Sequence, residues 1–95
     1  MQTAHRNIGS NRGNRRVWIE GSIISTEGWS NGDRYDRTVE GSMIHLSKSP
    51  EGRYKVAGTA ERPIIDMTGK WMTDWAEDAE SVEVISTPEV IRIAI

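Results

Sequence analysis

Ninety-five residues, 36% hydrophobic and 27% charged, suit one compact domain, or two halves of about 45 residues each too small to bury a core alone. The absence of cysteine excludes disulfides and cysteine–zinc sites, and no apolar run approaches the roughly 20 residues of a membrane helix. The N-terminal segment lacks the apolar stretch of a secretory signal, so the expectation is a soluble cytoplasmic protein without a membrane partner.

The net charge of −2 conceals an asymmetry. Residues 1–48 carry seven Lys/Arg against five Asp/Glu, and residues 49–95 carry five against nine. Arg6, Arg12, Arg15, Arg16 and Arg34 supply most of the first excess, and the acids of the second gather in DWAEDAESVE, residues 74–83. One global charge therefore misdescribes the surface.

In chain order, Arg16–Glu20 (RVWIE) is rich in β-formers and predicts a strand. Gly21-Ser22 breaks it. SIISTEG then predicts one or two helical turns, with Ser22 as N-cap and Gly28 just past the end. SNGD, 30–33, is a turn by composition. RYDRTVE, 34–40, alternates as a strand with Tyr35 and, more weakly, Val39 facing inward. Gly41-Ser42 marks a hairpin tip, and MIHLS returns with Leu46 and either Met43 or Ile44 toward the core. The polar SKSPEG, 47–52, is the natural connector.

The second half repeats this order. RYKVAG, 53–58, predicts a strand, TAER a turn, and PIID, 63–66, a strand opened by proline. Thr68 is the expected N-cap of the short helix GKWMTDW. AEDAE is a loop, and SVEVIS, TPE and VIRIAI form a closing hairpin.

Laid over one another, Arg16 matches Arg62, Ile19 matches Ile65, Glu20 matches Asp66, Ser22 matches Thr68 and Trp29 matches Trp75. With one extra residue after Trp75, Tyr35 matches Val82 and MIHL, 43–46, matches VIRI, 90–93. The expected organisation is one domain of two repeats, 4–48 and 53–95, joined by a linker at 47–52.

Each unit resembles the SpoVT/AbrB-like swapped-hairpin domain, and its SymE-like branch in particular. The matching positions are Arg16, Val17, Ile19, Gly28-Trp29, Gly32-Asp33, Tyr35, Ile44 and Leu46, then Arg62, Ile64, Ile65, Trp75, Val82, Val84, Ile91 and Ile93. The resemblance implies a mainly β fold, a swapped-hairpin β-barrel of two tandem strand–strand–short helix–hairpin repeats, folded as a pseudo-dimer within one chain. It also implies a transcription regulator, or, in the SymE-like branch, a toxin acting on RNA. The chain departs from the family where paired basic residues are expected on the short helix: the first copy has none and the second keeps only Lys70.

Double-stranded DNA is the partner this reading favours, because arginine neutralises phosphates and its fork reads guanine edges. The candidate contacts are Arg6, Arg12, Arg15 and Arg16, with Arg53, Lys55, Arg62 and Lys70 as second-copy counterparts. An alternative is an inhibitor or adaptor that binds a basic protein surface through Trp71, Asp74, Glu77, Asp78 and Glu80. Trp29 and Trp75, at matching positions, are expected in the core. No nucleophile, phosphate-loop or metal-ligand pattern occurs, so neither enzymatic activity nor a cofactor is expected. The matched carboxylates Glu20 and Asp66 read as strand-end groups. Only Arg16, His5 and Glu20 could serve a SymE-like ribonuclease.

Overall fold

A computed structural model describes all 95 residues. The strands are β1 (Gln2–Asn7), β2 (Gly9–Asn11), β3 (Asn14–Glu20), β4 (Arg34–Glu40), β5 (Met43–Lys48), β6 (Tyr54–Lys55), β7 (Ala57–Gly58), β8 (Pro63–Thr68), β9 (Ser81–Ser86) and β10 (Val90–Ala94). Two short helices, α1 (Ser22–Ser25) and α2 (Lys70–Ala76), follow β3 and β8. The fold is mainly β, with a six-stranded antiparallel sheet in the order β1-β9-β10-β5-β4-β6 and a four-stranded one in the order β2-β3-β8-β7.

Both orders are symmetric about their centres. In the smaller sheet Ile19 stands opposite Ile65. In the larger, His45 stands opposite Arg92. These are the pairs that the sequence overlay matches, so equivalent residues meet across the centre of each sheet. At the flanks the halves exchange strands: β1 pairs with β9 and β6 pairs with β4.

The sheets stay open, and the single closed barrel expected from the sequence does not form. The reason lies at two residues. Between β1 and β2, the Ile8 N–H turns to the Glu80 carbonyl at 2.9 Å, and between β6 and β7, the Val56 N–H turns to the Asp33 carbonyl at 2.8 Å. At each point the chain leaves the large sheet for the small one. For the same reason residues 53–58 form two short strands instead of one.

Alternation along the strands builds one shared core. Val17 and Ile19 from β3, Ile65 and Met67 from β8, Ile44 and Leu46 from β5, Val82 and Val84 from β9, and Ile91 and Ile93 from β10 are all buried. Each such side chain contributes roughly 1.5–3 kcal/mol before conformational entropy is counted. Of the matched tryptophans, Trp29 is fully buried while Trp75 is half-buried at the core margin. Trp29 donates its indole N–H to the Thr87 carbonyl at 2.8 Å, and Trp75 donates to the Gly41 carbonyl at 2.9 Å. Each ring thus holds the hairpin tip of the other half. Val39, expected to face in weakly, is 44% exposed although its cross-strand partner Ile44 is fully buried.

The helix starts also differ from expectation. Gly21 and Gly69 occupy the N-cap positions, with no side-chain cap, instead of Ser22 and Thr68. Strand β8 runs on through Thr68, which pairs with Arg16, so the chain must turn sharply at the next residue. Gly69 does so at φ 125°, a region that side-chain-bearing residues avoid. Freed from capping, the Thr68 hydroxyl donates to the Arg15 carbonyl at 3.1 Å.

Candidate nucleic-acid interface

Three of the eight cations singled out in the sequence are bound within the protein. Arg16 lies across β3 and β8 and donates through Nε and Nη2 to the two Asp66 carboxylate oxygens, each at 2.8 Å. Its guanidinium also covers the Trp18 ring at 4.4 Å. The hydrogen bonds to Asp66 raise the pKa of Arg16 above its ordinary value, against a smaller effect of desolvation. Arg15 donates to the carbonyls of Glu77, at 2.7 Å, and Ala79. It thereby closes the C-terminal end of α2, where Glu77 adopts φ 51°. Lys70 pairs with Asp74 one turn further on, at 2.9 Å, in an exposed contact that contributes little.

The other five have no carboxylate partner. Arg12 occupies the β2–β3 hairpin tip at φ 52°, exposed to solvent. Arg6 projects from the core side of β1, opposite buried Val82, and donates to the neighbouring His5 carbonyl at 3.0 Å. Arg62 lies beside the β7–β8 turn, its backbone N–H on the Thr59 hydroxyl at 3.1 Å. Arg53 and Lys55 flank Tyr54 on the arm that carries β6.

The strand exchange then adds two cations that sequence reasoning did not place here. Because β6 pairs with β4, Arg34 stands directly opposite Lys55, and Tyr35 opposite Tyr54. Arg37, also on β4, lies against the Tyr54 ring. Arg34, Arg53 and Lys55 thus come to one edge of the large sheet, with Arg37 on the core-side face of the same edge, two cations from each half. None makes an ion pair. The nearby Asp36 carboxylate accepts the Arg53 backbone N–H at 3.1 Å, and the Arg34 guanidinium donates to the Gly52 carbonyl at 2.9 Å. Like charges facing one another across a strand pair are unfavourable, so this edge is one where a bound anion would relieve repulsion. The trace of it in the sequence is the Arg-Tyr dipeptide, which occurs at 34–35 and again at 53–54.

The opposite edge, where β1 meets β9, has a different character. There His5 faces Glu83, with 3.9 Å between imidazole and carboxylate, and Arg6 is the one arginine. The charge asymmetry therefore does not divide the molecule into a basic first half and an acidic second half. The two flanks differ, and each is built from both halves.

The acidic candidates are dispersed. Trp71 turns toward Arg37, Asp74 is paired with Lys70, and the Glu80 carbonyl accepts the Ile8 N–H. Glu77 and Asp78 remain together, beside Trp75 rather than Trp71. They border a shallow hollow of about 370 Å³ that Trp75, Ala76, Ala79 and Ile95 line. His5, Arg16 and Glu20 do not act on one another: Arg16 is held by Asp66, and His5 faces Glu83.

No protein-family model, curated protein or solved structure matches the chain.

Proposed function

We propose that this chain is a small double-stranded-DNA-binding protein of the transcription-regulator kind, built as a fused pair of swapped-hairpin units. The exchange of β1 and β6 between halves, and the meeting of matched residues at both sheet centres, support the fused-pair reading. The observation that carries the functional reading is the unpaired cluster Arg34, Arg37, Arg53 and Lys55. Four cations at one edge displace counterions when they meet phosphates, and this entropy gain drives association. Arg12, on a two-residue tip, supplies a fork able to approach a groove. Arg15 and Arg16, tied to Glu77, Ala79 and Asp66, position these elements instead of binding.

The test is fluorescence anisotropy with a labelled duplex. The triple variant R34Q/R53Q/K55Q is expected to bind at least tenfold more weakly at low salt, while E77Q/D78Q/E80Q binds as well as the parent or better. Equal binding by the first variant and the parent overturns the reading. Replacing Arg15 or Arg16 would confuse folding with binding.

One observation favours a second reading. The hollow beside Trp75 combines apolar walls with two unpaired carboxylates, Glu77 and Asp78, a combination that suits a basic segment of a protein partner. Under that reading the chain is an inhibitor or adaptor, and E77Q/D78Q weakens binding to a labelled lysine-rich peptide that the DNA-edge variant still binds.

A further inference from the structure

Arg37 is placed unlike any other arginine in the chain. Its cross-strand neighbour on β5 is Leu46, which is fully buried, so Arg37 projects from the core side of β4. Its guanidinium carbon lies 3.8 Å from the centre of the Trp71 ring and 4.4 Å from that of Tyr54. Both rings are held. Trp71 donates its indole N–H to the Thr68 carbonyl at 3.2 Å. Tyr54 stacks on Tyr35 at 5.7 Å, and Tyr35 meets Trp29 edge-on at 6.1 Å. The guanidinium is therefore fixed by a ladder of rings that runs back into the core.

No protein oxygen accepts a hydrogen bond from Arg37, and no carboxylate pairs with it. A purely structural role would not need this arrangement. The position matched in the second half, 47 residues on, is Val84, buried and apolar. The same fold therefore fills the equivalent place with a small hydrophobe. At residue 37 it instead holds a permanent cation that lies against two rings and whose N–H donors have no acceptor. Such donors, in a fixed fork, match two oxygens of a phosphate group.

We infer that Arg37, clamped by Trp71 and Tyr54, is the centre of a phosphate-binding site. Its assignment to the phosphodiester backbone of DNA rests on the functional reading above, whereas the site itself does not. The test follows the side-chain N–H signals of Arg37 and Trp71 by ¹⁵N NMR in the full chain. Inorganic phosphate is added first, against chloride at matched ionic strength, and a DNA duplex second. With phosphate, both signals are expected to move in a saturable way that chloride does not reproduce. R37K keeps the charge but loses the fork, and is expected to weaken phosphate binding at least fivefold, as read from Trp71. R37Q abolishes it, with thermal unfolding of both variants as the folding control.

If chloride moves the signals as phosphate does, or R37K binds phosphate as tightly as the parent, the site is overturned. If phosphate saturates the site but no duplex binds, the site stands as one for free phosphate or a nucleotide, and the DNA reading fails. If the duplex binds R37K and R37Q with parental affinity, DNA binding stands and Arg37 has no part in it.

Discussion

Replacing Gly52 with alanine tests how the connector between halves shapes the cationic edge. Gly52 is buried against β4, and a Cβ built on it falls 2.6 Å from the backbone nitrogen and carbon of Tyr35 and 2.7 Å from its oxygen. Ordinary contacts begin near 3.4 Å. The overlap is with backbone, so no side chain can turn aside to relieve it. The connector must lift away, and with it go the Arg34 hydrogen bond to the Gly52 carbonyl and the pairing of β6 on β4. Overpacking of this kind costs about 3 kcal/mol, a large part of the roughly 5–14 kcal/mol expected for a domain of this size. Urea denaturation of G52A should show that loss, and amide exchange should accelerate at Tyr35 and Tyr54 first. DNA affinity should fall with it, since Lys55 no longer stands opposite Arg34. Gly41→Ala is the comparison: its Cβ meets nothing within 4 Å, so only the backbone at φ 60° resists, at about 1 kcal/mol. A G52A protein within about 0.5 kcal/mol of the parent, or no more destabilised than G41A, would refute this account of the connector.

Ser86 is fully buried and its hydroxyl has no partner; S86A should stabilise the fold by about 1 kcal/mol in urea titrations, and a loss of stability would show that the hydroxyl is satisfied in solution. Burial raises the pKa of the Tyr35 phenol, with Arg37 opposing and Tyr54 and Asp66 adding. The folded protein then keeps a proton that the unfolded chain releases, so this group leaves stability unchanged below about pH 10 and reduces it above. Y35F should lose less stability than the parent between about pH 8 and about pH 10.5, and equal losses would contradict the assignment. Within residues 1–50 only β2–β3 and β4–β5 keep their partners. That fragment should be unfolded or dimeric by analytical ultracentrifugation and should fold when mixed with residues 51–95, whereas a stable folded monomer would break the fused-pair reading.

Much of the fold was legible in the sequence because its signals are local. Alternation marked β4, β5, β9 and β10, glycine and proline marked the turns, and the spacing of Trp29 and Trp75 revealed the internal match. What was not legible depends on non-local pairing. Nothing near Thr68 announces that β8 continues through it and leaves the capping to Gly69. The closed barrel was what the family resemblance implied, and nothing around Ile8 or Val56 shows that their N–H groups bond to residues far along the chain, where the two open sheets part. The site divides in the same way. Arg12, Arg53, Lys55 and Arg62 were visible as charges, but Arg15 and Arg16 read identically until their acceptors, Glu77, Ala79 and Asp66, come into place. Arg34 and Arg37 join the cluster only through the strand exchange. Trp71 was grouped with the acids by sequence proximity, whereas its ring serves an arginine from the other half.

The most direct test of DNA binding is a titration of the full chain with a labelled duplex at about 50 and about 200 mM salt. Neutralising about four phosphates predicts a log–log slope near −3.6, a loss of affinity of roughly 100-fold over that range. The R34Q/R53Q/K55Q variant should flatten the slope by about 2.7, leaving weak binding that depends little on salt. No binding at the lower salt, or a slope the variant leaves unchanged, would contradict the assignment of this edge to DNA.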